Sequence, residues 1–203
     1  MKALVFYFEP FGNDTVNSSE EAAKLIESCI DGITIETHRL PVSFRRSVDT
    51  ALETIRKKNP HLIICLGQAA GRASINLERV AINAAHTVSR DADGYSPKNM
   101  PLDAEGPAAC LTSLPVDDIS ENLRATGLPC FVSNSAGTYV CNCVYYHLLR
   151  TLPKIPVLFV HLPLTPAQAA SRTSSTPSLS SRTAASAIHK IIGACQGAMD
   201  KLI

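Results

Sequence analysis

The stretch PCFVSNSAGTYVCNCVYYHLL, residues 129–149, joins a short apolar run to a segment of helical periodicity through a turn of small residues. The run PCFVS predicts a buried strand, and NSAGT predicts the turn that leads into the helix. A strand that passes through a short turn into a helix is the repeating unit of α/β proteins with a parallel sheet. Two cysteines, Cys141 and Cys143, lie one residue apart at the start of this helix.

The same alternation of apolar runs and helical periodicity extends along the rest of the chain. Buried strands are predicted at residues 3–8, 33–40, 62–66, 130–133 and 155–161. Helices are predicted at residues 18–29, 47–57, 139–152 and 179–203, and loops at residues 87–115, with at most one strand, and 171–182. This order predicts a single α/β domain over residues 1–203, with a mainly parallel twisted sheet, helices on both faces and a site at the carboxyl ends of the strands.

Charge and cysteine content limit the classes of partner. With 19 basic and 18 acidic residues the chain has a formal charge of +1, which argues against binding to nucleic acid or to an anionic membrane. The first apolar run ends at Glu9 and Pro10 after about six residues, too short for a signal or membrane segment. Seven cysteines, an odd number, favour reduced thiols over a disulfide framework. We therefore expect a cytoplasmic protein with a small or neutral partner.

The two cysteines of the opening stretch differ in direction. With Thr138 as the expected N-cap, Cys141 lies in the first turn of the helix, and Cys143 lies roughly 200° round from it. We expect Cys141 to face the sheet edge, where free backbone N–H groups favour a thiolate, and Cys143 to face solvent or a neighbouring chain. Metal binding by the pair is disfavoured because the helix separates the two side chains. The alternative for Cys141 is a small buried hydrophobe.

A nucleophilic thiol needs a base, and two residues are candidates for a catalytic group with Cys141. His161 ends a predicted strand at the same sheet edge, and Glu78 begins the short apolar segment ERVAIN. Together they would form a nucleophile, a base and an orienting carboxylate, an arrangement found on unrelated folds. Taken singly, His161 could be a hydrogen-bonded structural residue and Glu78 a solvated charge.

The glycine-containing loop LGQAAGR, residues 66–72, follows a predicted strand. It lacks both the GxGxxG spacing and the Lys-Ser/Thr pair of phosphate-binding loops. Gly67 and Gly71 permit a tight turn and a close backbone approach. This pattern favours a loop that presents backbone groups to a neutral ligand.

The chain resembles the pyroglutamyl peptidase I (pyrrolidone-carboxylate peptidase) family of cysteine peptidases over nearly its whole length. The stretches that carry the resemblance, in the family's order, are FEPFGNDTVNSS, LPVSF, GQAAGRASINLERVAIN, EGPAACLTSLP, SNSAGTYVCN, VHLP and PSLS. The resemblance implies an α/β fold, commonly a homotetramer, that removes an N-terminal pyroglutamate from peptides without a metal or cofactor. It also implies that Cys141 is the nucleophile, His161 the base and Glu78 the orienting carboxylate.

The same resemblance implies a binding site for the pyroglutamyl ring. The aromatic positions that contact the ring fall on Phe8, Phe11 and Tyr139. The polar contacts to the lactam fall on Asn17 and on the backbone around Gln68. Core packing is the alternative for Phe8.

One position departs from the family pattern. Val88 stands where the family has an arginine that stabilises the reacting carbonyl, and Arg90 is the candidate to replace it if the loop is two residues shorter. Because of this departure, a non-catalytic homologue that binds pyroglutamyl peptides is an alternative function. A nucleoside or phosphate-ester enzyme that uses the loop at residues 67–71 is a further alternative, since a fold alone does not specify chemistry.

Overall fold

Seven strands form one mainly parallel sheet in a computed structural model of the chain, which describes residues 1–200. The strands of the described residues are β1 (Lys2–Phe8), β2 (Cys29–Ile30), β3 (Ile33–Leu40), β4 (Leu62–Gln68), β5 (Ile75–Glu78), β6 (Val80–Ile82), β7 (Ala109–Leu111), β8 (Cys130–Ser133) and β9 (Val157–Leu162). The order in the sheet is β2-β3-β1-β4-β9-β5-β8, and β6 and β7 form a separate antiparallel pair. Two pairings in the large sheet are antiparallel, β2 with β3 and β5 with β9.

Helices cover both faces of the sheet, as predicted. They are α1 (Ser18–Ala23), α2 (Arg46–Lys58), α3 (Val116–Ala125), α4 (Val140–Thr151), α5 (Pro166–Ala170) and α6 (Ser181–Asp200). Buried residues of α1, α3 and α6 form one apolar cluster with the sheet, and those of α2 and α4 form a second cluster. Three layers result, which confirms the predicted α/β class. No helix within residues 1–200 is both long enough and apolar enough to span a membrane.

The region predicted as one helix at residues 18–29 contains a shorter helix and an edge strand. Helix α1 ends at Ala23, and β2 pairs antiparallel with the start of β3. The two residues that connect these strands, Asp31 and Gly32, both have positive φ, 48° and 78°. An Asp-Gly pair with this backbone geometry is a strong signal for a two-residue hairpin. The turn therefore decides the structure here, against the helical periodicity.

Several short elements were not predicted. The four-residue strand β5 and the three-residue strand β6 have too few positions to show an apolar period. Helix α3 does show a helical period, because its buried residues recur three and four positions apart, and it was missed all the same. The predicted strand within residues 87–115 is β7. Helix α6 begins two residues later than predicted, and the predicted residues 201–203 lie outside the described part of the chain.

Candidate active site

His161 lies near the end of β9, a strand that is buried along its whole length. On the adjacent parallel strand β4 its register partner is Gly67, which has no side chain. The ring of Phe159, two residues earlier and therefore on the same face, lies 4.8 Å from the imidazole between ring centroids. The imidazole thus has one packed side and one side that faces the space above Gly67.

Glu78 reaches this imidazole from the antiparallel neighbour of β9. It is the last residue of β5 and pairs in register with Phe159, so its side chain reaches His161 diagonally across the two strands. Its Oε1 lies 2.8 Å from Nδ1 of His161, and the residue is fully buried. The alternative that Glu78 is a solvated charge is therefore wrong. A proton on Nδ1, donated to the carboxylate, leaves Nε2 as the basic nitrogen.

Arg72 is a member of this cluster that the sequence reasoning missed. Its Nη1 donates to the same Oε1 of Glu78 at 2.7 Å, and its Nη2 donates to the carbonyl of Ser135 at 3.3 Å. A fully buried carboxylate is costly unless a cation or hydrogen-bond donors compensate it. Arg72 supplies that compensation. The signal in the sequence was the arginine six residues before Glu78, directly after the turn at Gly71, whose φ is +86°.

Cys141 approaches the imidazole from α4. It is the second residue of that helix, whose N-cap is Tyr139 and whose first turn has no side-chain cap. A Cβ atom built on Gly67 would stand 3.0 Å from the Cys141 sulfur, so the thiol lies over the register partner of His161. Within the described part of the chain no hydrogen bond joins thiol and imidazole. Such contacts are often long in unliganded enzymes and shorten when substrate binds.

The environment of the thiol favours its protonated form. Burial raises the pKa of Cys141 to about 12, and the Glu78 carboxylate acts in the same direction. The backbone N–H of Cys141 and the Arg72 guanidinium lower this pKa, but their effect is smaller. The predicted effect of the helix N-terminus on the thiol is present, since the backbone N–H of Cys141 lowers its pKa, but desolvation outweighs it. Attack by this sulfur requires a base that removes its proton.

The surroundings of α4 correct two further predictions. Thr138 is not the N-cap, since its hydroxyl donates to the carbonyl of His86 at 2.8 Å. Cys143 does not face solvent: it is 3% exposed, and its thiol donates to the carbonyl of Phe44 at 3.4 Å. The prediction was wrong because α4 contacts the sheet on one side and α2 and the β6–β7 pair on others. Cys143 is therefore a core thiol, and burial raises its pKa to about 12.

A cavity of about 140 Å³ opens beside the thiol. The predicted site residues that line it are Phe8, Phe11, Asn17, Gln68, Tyr139, Cys141 and His161. A cavity of about 150 Å³ holds a benzene molecule in another protein, so this one has room for a five-membered ring. The structure thus brings the predicted ring-binding residues and the predicted catalytic residues to one place.

The two predicted polar contacts have structural partners already. Asn17 caps α1, accepting from the N–H and hydroxyl of Ser19, and donates to the carbonyl of Glu9. The Gln68 side chain accepts from the N–H of Ser18 and from Gln168. Their side chains therefore mainly hold the cavity wall in place, and a lactam contact from the backbone around Gln68 stays a prediction.

Neither Val88, which stands at the family's arginine position, nor Arg90, the candidate replacement, lines the thiol cavity. Val88 is 86% exposed, and Arg90 lines a different, adjoining cavity of about 440 Å³. The two cavities share Phe11, Val42 and Tyr139 as a common wall. Arg90 is thus near the site but does not line the thiol cavity, and its role at the oxyanion stays a prediction.

An α/β domain in which a thiol, an imidazole and a carboxylate meet beside a small apolar cavity has the construction of a cysteine hydrolase. The family model described as pyroglutamyl peptidase matches residues 1–197. The chain belongs to the pyroglutamyl peptidase family, which confirms the predicted resemblance and enzyme class.

Relatives and solved structures agree with this assignment. Pyrrolidone-carboxylate peptidase 1 of Caldanaerobacter subterraneus is 41% identical over 83% of this chain and 85% of its own. The Bacillus subtilis pyrrolidone-carboxylate peptidase is 40% identical over 88% and 85%, respectively. The pyrrolidone carboxyl peptidase from Thermococcus litoralis matches with a TM-score of 0.95 at 31% identity, covering 100% of this chain and 96% of that one. A nucleoside or phosphate-ester enzyme and a non-catalytic binding protein are not favoured.

Proposed function

We propose that this chain removes an N-terminal pyroglutamate from peptides, with Cys141 as the nucleophile, His161 as the base and Glu78 as the orienting carboxylate. The observation that carries the proposal is that the thiol and the hydrogen-bonded His161–Glu78 pair adjoin one ring-sized cavity. The pyroglutamyl ring fills this cavity, and the carbonyl carbon that links it to the rest of the peptide lies at the sulfur of Cys141.

Acylation begins with a proton transfer, because the thiol is protonated at rest. Nε2 of His161 accepts the proton as the sulfur of Cys141 attacks the carbonyl carbon. The developing oxyanion accepts a hydrogen bond from the backbone N–H of Cys141, in the uncapped first turn of α4. The negative charge of Glu78 stabilises the imidazolium that forms.

The covalent intermediate is a thioester between Cys141 and the pyroglutamyl group. His161 gives its proton to the leaving amine as the carbon–nitrogen bond breaks. A water molecule then attacks the thioester with His161 again as the base, and the sulfur leaves as the thiol. Throughout the cycle Arg72 holds Glu78 in place by donating to the same carboxylate oxygen that contacts the imidazole.

Recognition of the ring combines apolar area with polar matching. Phe8, Phe11 and Tyr139 provide apolar contact for a flat five-membered ring. A proline ring has nearly the same bulk, but its amine is protonated at neutral pH, whereas the lactam nitrogen is neutral. Discrimination of roughly 10⁴-fold or more against a prolyl amide is therefore expected, since the cation is desolvated and the lactam-binding groups are unpaired.

The test is turnover of pyroglutamyl and prolyl coumarin amides, with and without a thiol alkylator. The pyroglutamyl amide should be cleaved and the alkylator should stop cleavage in proportion to the labelling of Cys141. Absence of turnover by folded protein would refute the proposed activity. A ratio of kcat/KM values below about 200 would show that only the apolar shape of the ring is recognised.

We further propose that the protein is cytoplasmic and forms a homo-oligomer, a tetramer by family resemblance. All seven cysteines are free, which fits a reducing compartment. Large apolar side chains such as Val88 and Leu111 are exposed on the single chain, and an assembly would cover them. Light scattering coupled to gel filtration measures the mass directly, and a monomer would contradict the oligomer.

A further inference from the structure

The cavity of about 440 Å³ next to the thiol cavity contains none of the proposed catalytic residues Cys141, His161 and Glu78. The two cavities share Phe11, Val42 and Tyr139, so they lie next to each other. The second cavity is therefore the neighbouring space into which the residues after a pyroglutamyl ring in the first cavity can extend. The charges in the second cavity decide which residues these can be.

Two carboxylates border this second cavity, and both have partners within the protein. Asp91 accepts hydrogen bonds from the backbone N–H groups of Phe44, Asp93 and Tyr95. Glu9 accepts from the N–H of Val42 at 3.0 Å, and its other oxygen lies 3.8 Å from Arg39. Neither carboxylate is free to bind a ligand without losing these contacts.

Arg90 is the cation of this cavity, and its guanidinium has no ion pair or hydrogen bond within residues 1–199. Only its backbone carbonyl is engaged, by the hydroxyl of Tyr139 at 3.3 Å. That contact joins the Arg90 loop to the wall shared with the thiol cavity. A free guanidinium with five donors at this place suits a carboxylate ligand.

We propose that the second cavity binds the leaving part of the substrate and that Arg90 binds a carboxylate there. The carboxylate belongs to an acidic residue just after the pyroglutamate or to the C-terminus of a short peptide. This inference rests on the proposed function and gives Arg90 a role in substrate preference, in place of the predicted role at the oxyanion.

The test compares four substrates in which one residue or one coumarin follows the pyroglutamyl group. They are pyroglutamyl-Glu amide, pyroglutamyl-Gln amide, pyroglutamyl-Gln with a free C-terminus, and the coumarin amide. The wild-type protein should favour the peptides with a carboxylate by about two- to fivefold in kcat/KM, the range for a solvent-exposed ion pair. High salt should reduce this preference by screening. The two acidic peptides separate a side-chain carboxylate from a terminal one.

Substitution then tests the assignment to Arg90. Arg90→Gln should abolish the acid preference, whereas Arg45→Gln should keep it, because the Arg45 side chain is 91% exposed and borders another cavity. A preference that persists in Arg90→Gln, or is absent from the wild type, overturns the proposal. So does a loss of about 10²- to 10³-fold on the coumarin amide, which would place Arg90 at the oxyanion.

A binding measurement separates this proposal from the proposed activity. In Cys141→Ser protein, calorimetry should show tighter binding of pyroglutamyl-Glu amide than of pyroglutamyl-Gln amide, and Arg90→Gln should equalise the two dissociation constants. This result decides the role of Arg90 even if the wild-type protein does not turn over. Equal dissociation constants before the Arg90 substitution would refute it.

Discussion

Gly67 is the residue at which a single methyl group should damage the site most. It lies at the level of His161 in the parallel pair of β4 and β9. A Cβ atom there would stand 2.7 Å and 2.9 Å from two ring carbons of Phe159 and 3.0 Å from the sulfur of Cys141. The nearest of these distances is about 0.7 Å short of an ordinary contact of 3.4 Å. Gly67→Ala therefore forces the ring, the sulfur or the strand to move.

The Phe159 ring has little room to move. It is fully buried and packs against Tyr145, Phe8 and the imidazole of His161. Any shift of the ring is therefore transmitted to His161, the base. A shift of the Cys141 sulfur, the other atom that the added Cβ would contact, displaces the nucleophile directly. Overpacking of this kind destabilises by about 1–3 kcal/mol. A misplacement approaching 1 Å costs about 10²-fold in rate, so we expect kcat/KM to fall by roughly that factor.

The assay combines kcat/KM for the pyroglutamyl coumarin amide with a thermal melt. The matched control is Gly193→Ala in α6, where an added Cβ meets nothing within 4 Å. Because alanine favours helix over glycine by about 0.5–1 kcal/mol, this control should keep its activity and gain stability. If folded Gly67→Ala protein cleaved the amide within threefold of the wild type, the position of Cys141 over Gly67 would be wrong.

Three further predictions concern the proposed catalytic residues. Cys141→Ser should remove nearly all activity while Cys143→Ser keeps most of it, since only the first thiol lines the cavity; equal losses in two folded proteins would contradict the assignment. His161→Ala should reduce kcat more than Glu78→Gln does, because the base itself transfers the proton, whereas the carboxylate acts indirectly by orienting the imidazole and stabilising its charged form; the order of the two rates is the measurement. Since the pKa of Cys141 is raised to about 12, its alkylation by iodoacetamide in the free protein should accelerate roughly tenfold per pH unit between pH 7 and 9, and a plateau below pH 8 would show a resting thiolate instead.

The parts of the fold that the sequence predicts well are those with long local patterns. The strand at residues 33–40 and the helices at 47–57 and 139–152 lie within one residue of the observed elements at each end. The strand β5 is different: it has four residues, and its position between β8, to which it is parallel, and β9, to which it is antiparallel, depends on tertiary contacts. The sequence therefore offers Glu78 as a candidate carboxylate, which the family resemblance also implies, but it cannot give the diagonal contact that places Glu78 at His161.

The prediction for Cys143 shows a second limit. A helical wheel gives the angle between two side chains. The angle between Cys141 and Cys143 correctly predicts that only one of the two thiols lines the cavity. It does not say what covers the opposite side of the helix. Here α2 and the segment around Phe44 cover it, so Cys143 is buried. Prediction of the pKa of Cys141 has the same limit, because the sequence shows the helix N-terminus, which lowers this pKa, but not the burial, which raises it.

The charges around Glu78 explain why a protonated resting thiol is compatible with catalysis. Arg72 and His161 share one oxygen of this buried carboxylate, and its other oxygen has no hydrogen-bond partner. The Arg72 guanidinium therefore compensates part of the negative charge before any proton moves, and the other carboxylate oxygen accepts no hydrogen bond. Transfer of the thiol proton to His161 is most favourable when a substrate carbonyl lies beside Cys141. The negative charge then moves to the carbonyl oxygen, where the backbone N–H groups of α4 stabilise it. Reaction thus depends on a bound substrate carbonyl, and a thiol without substrate stays protonated and less open to oxidation.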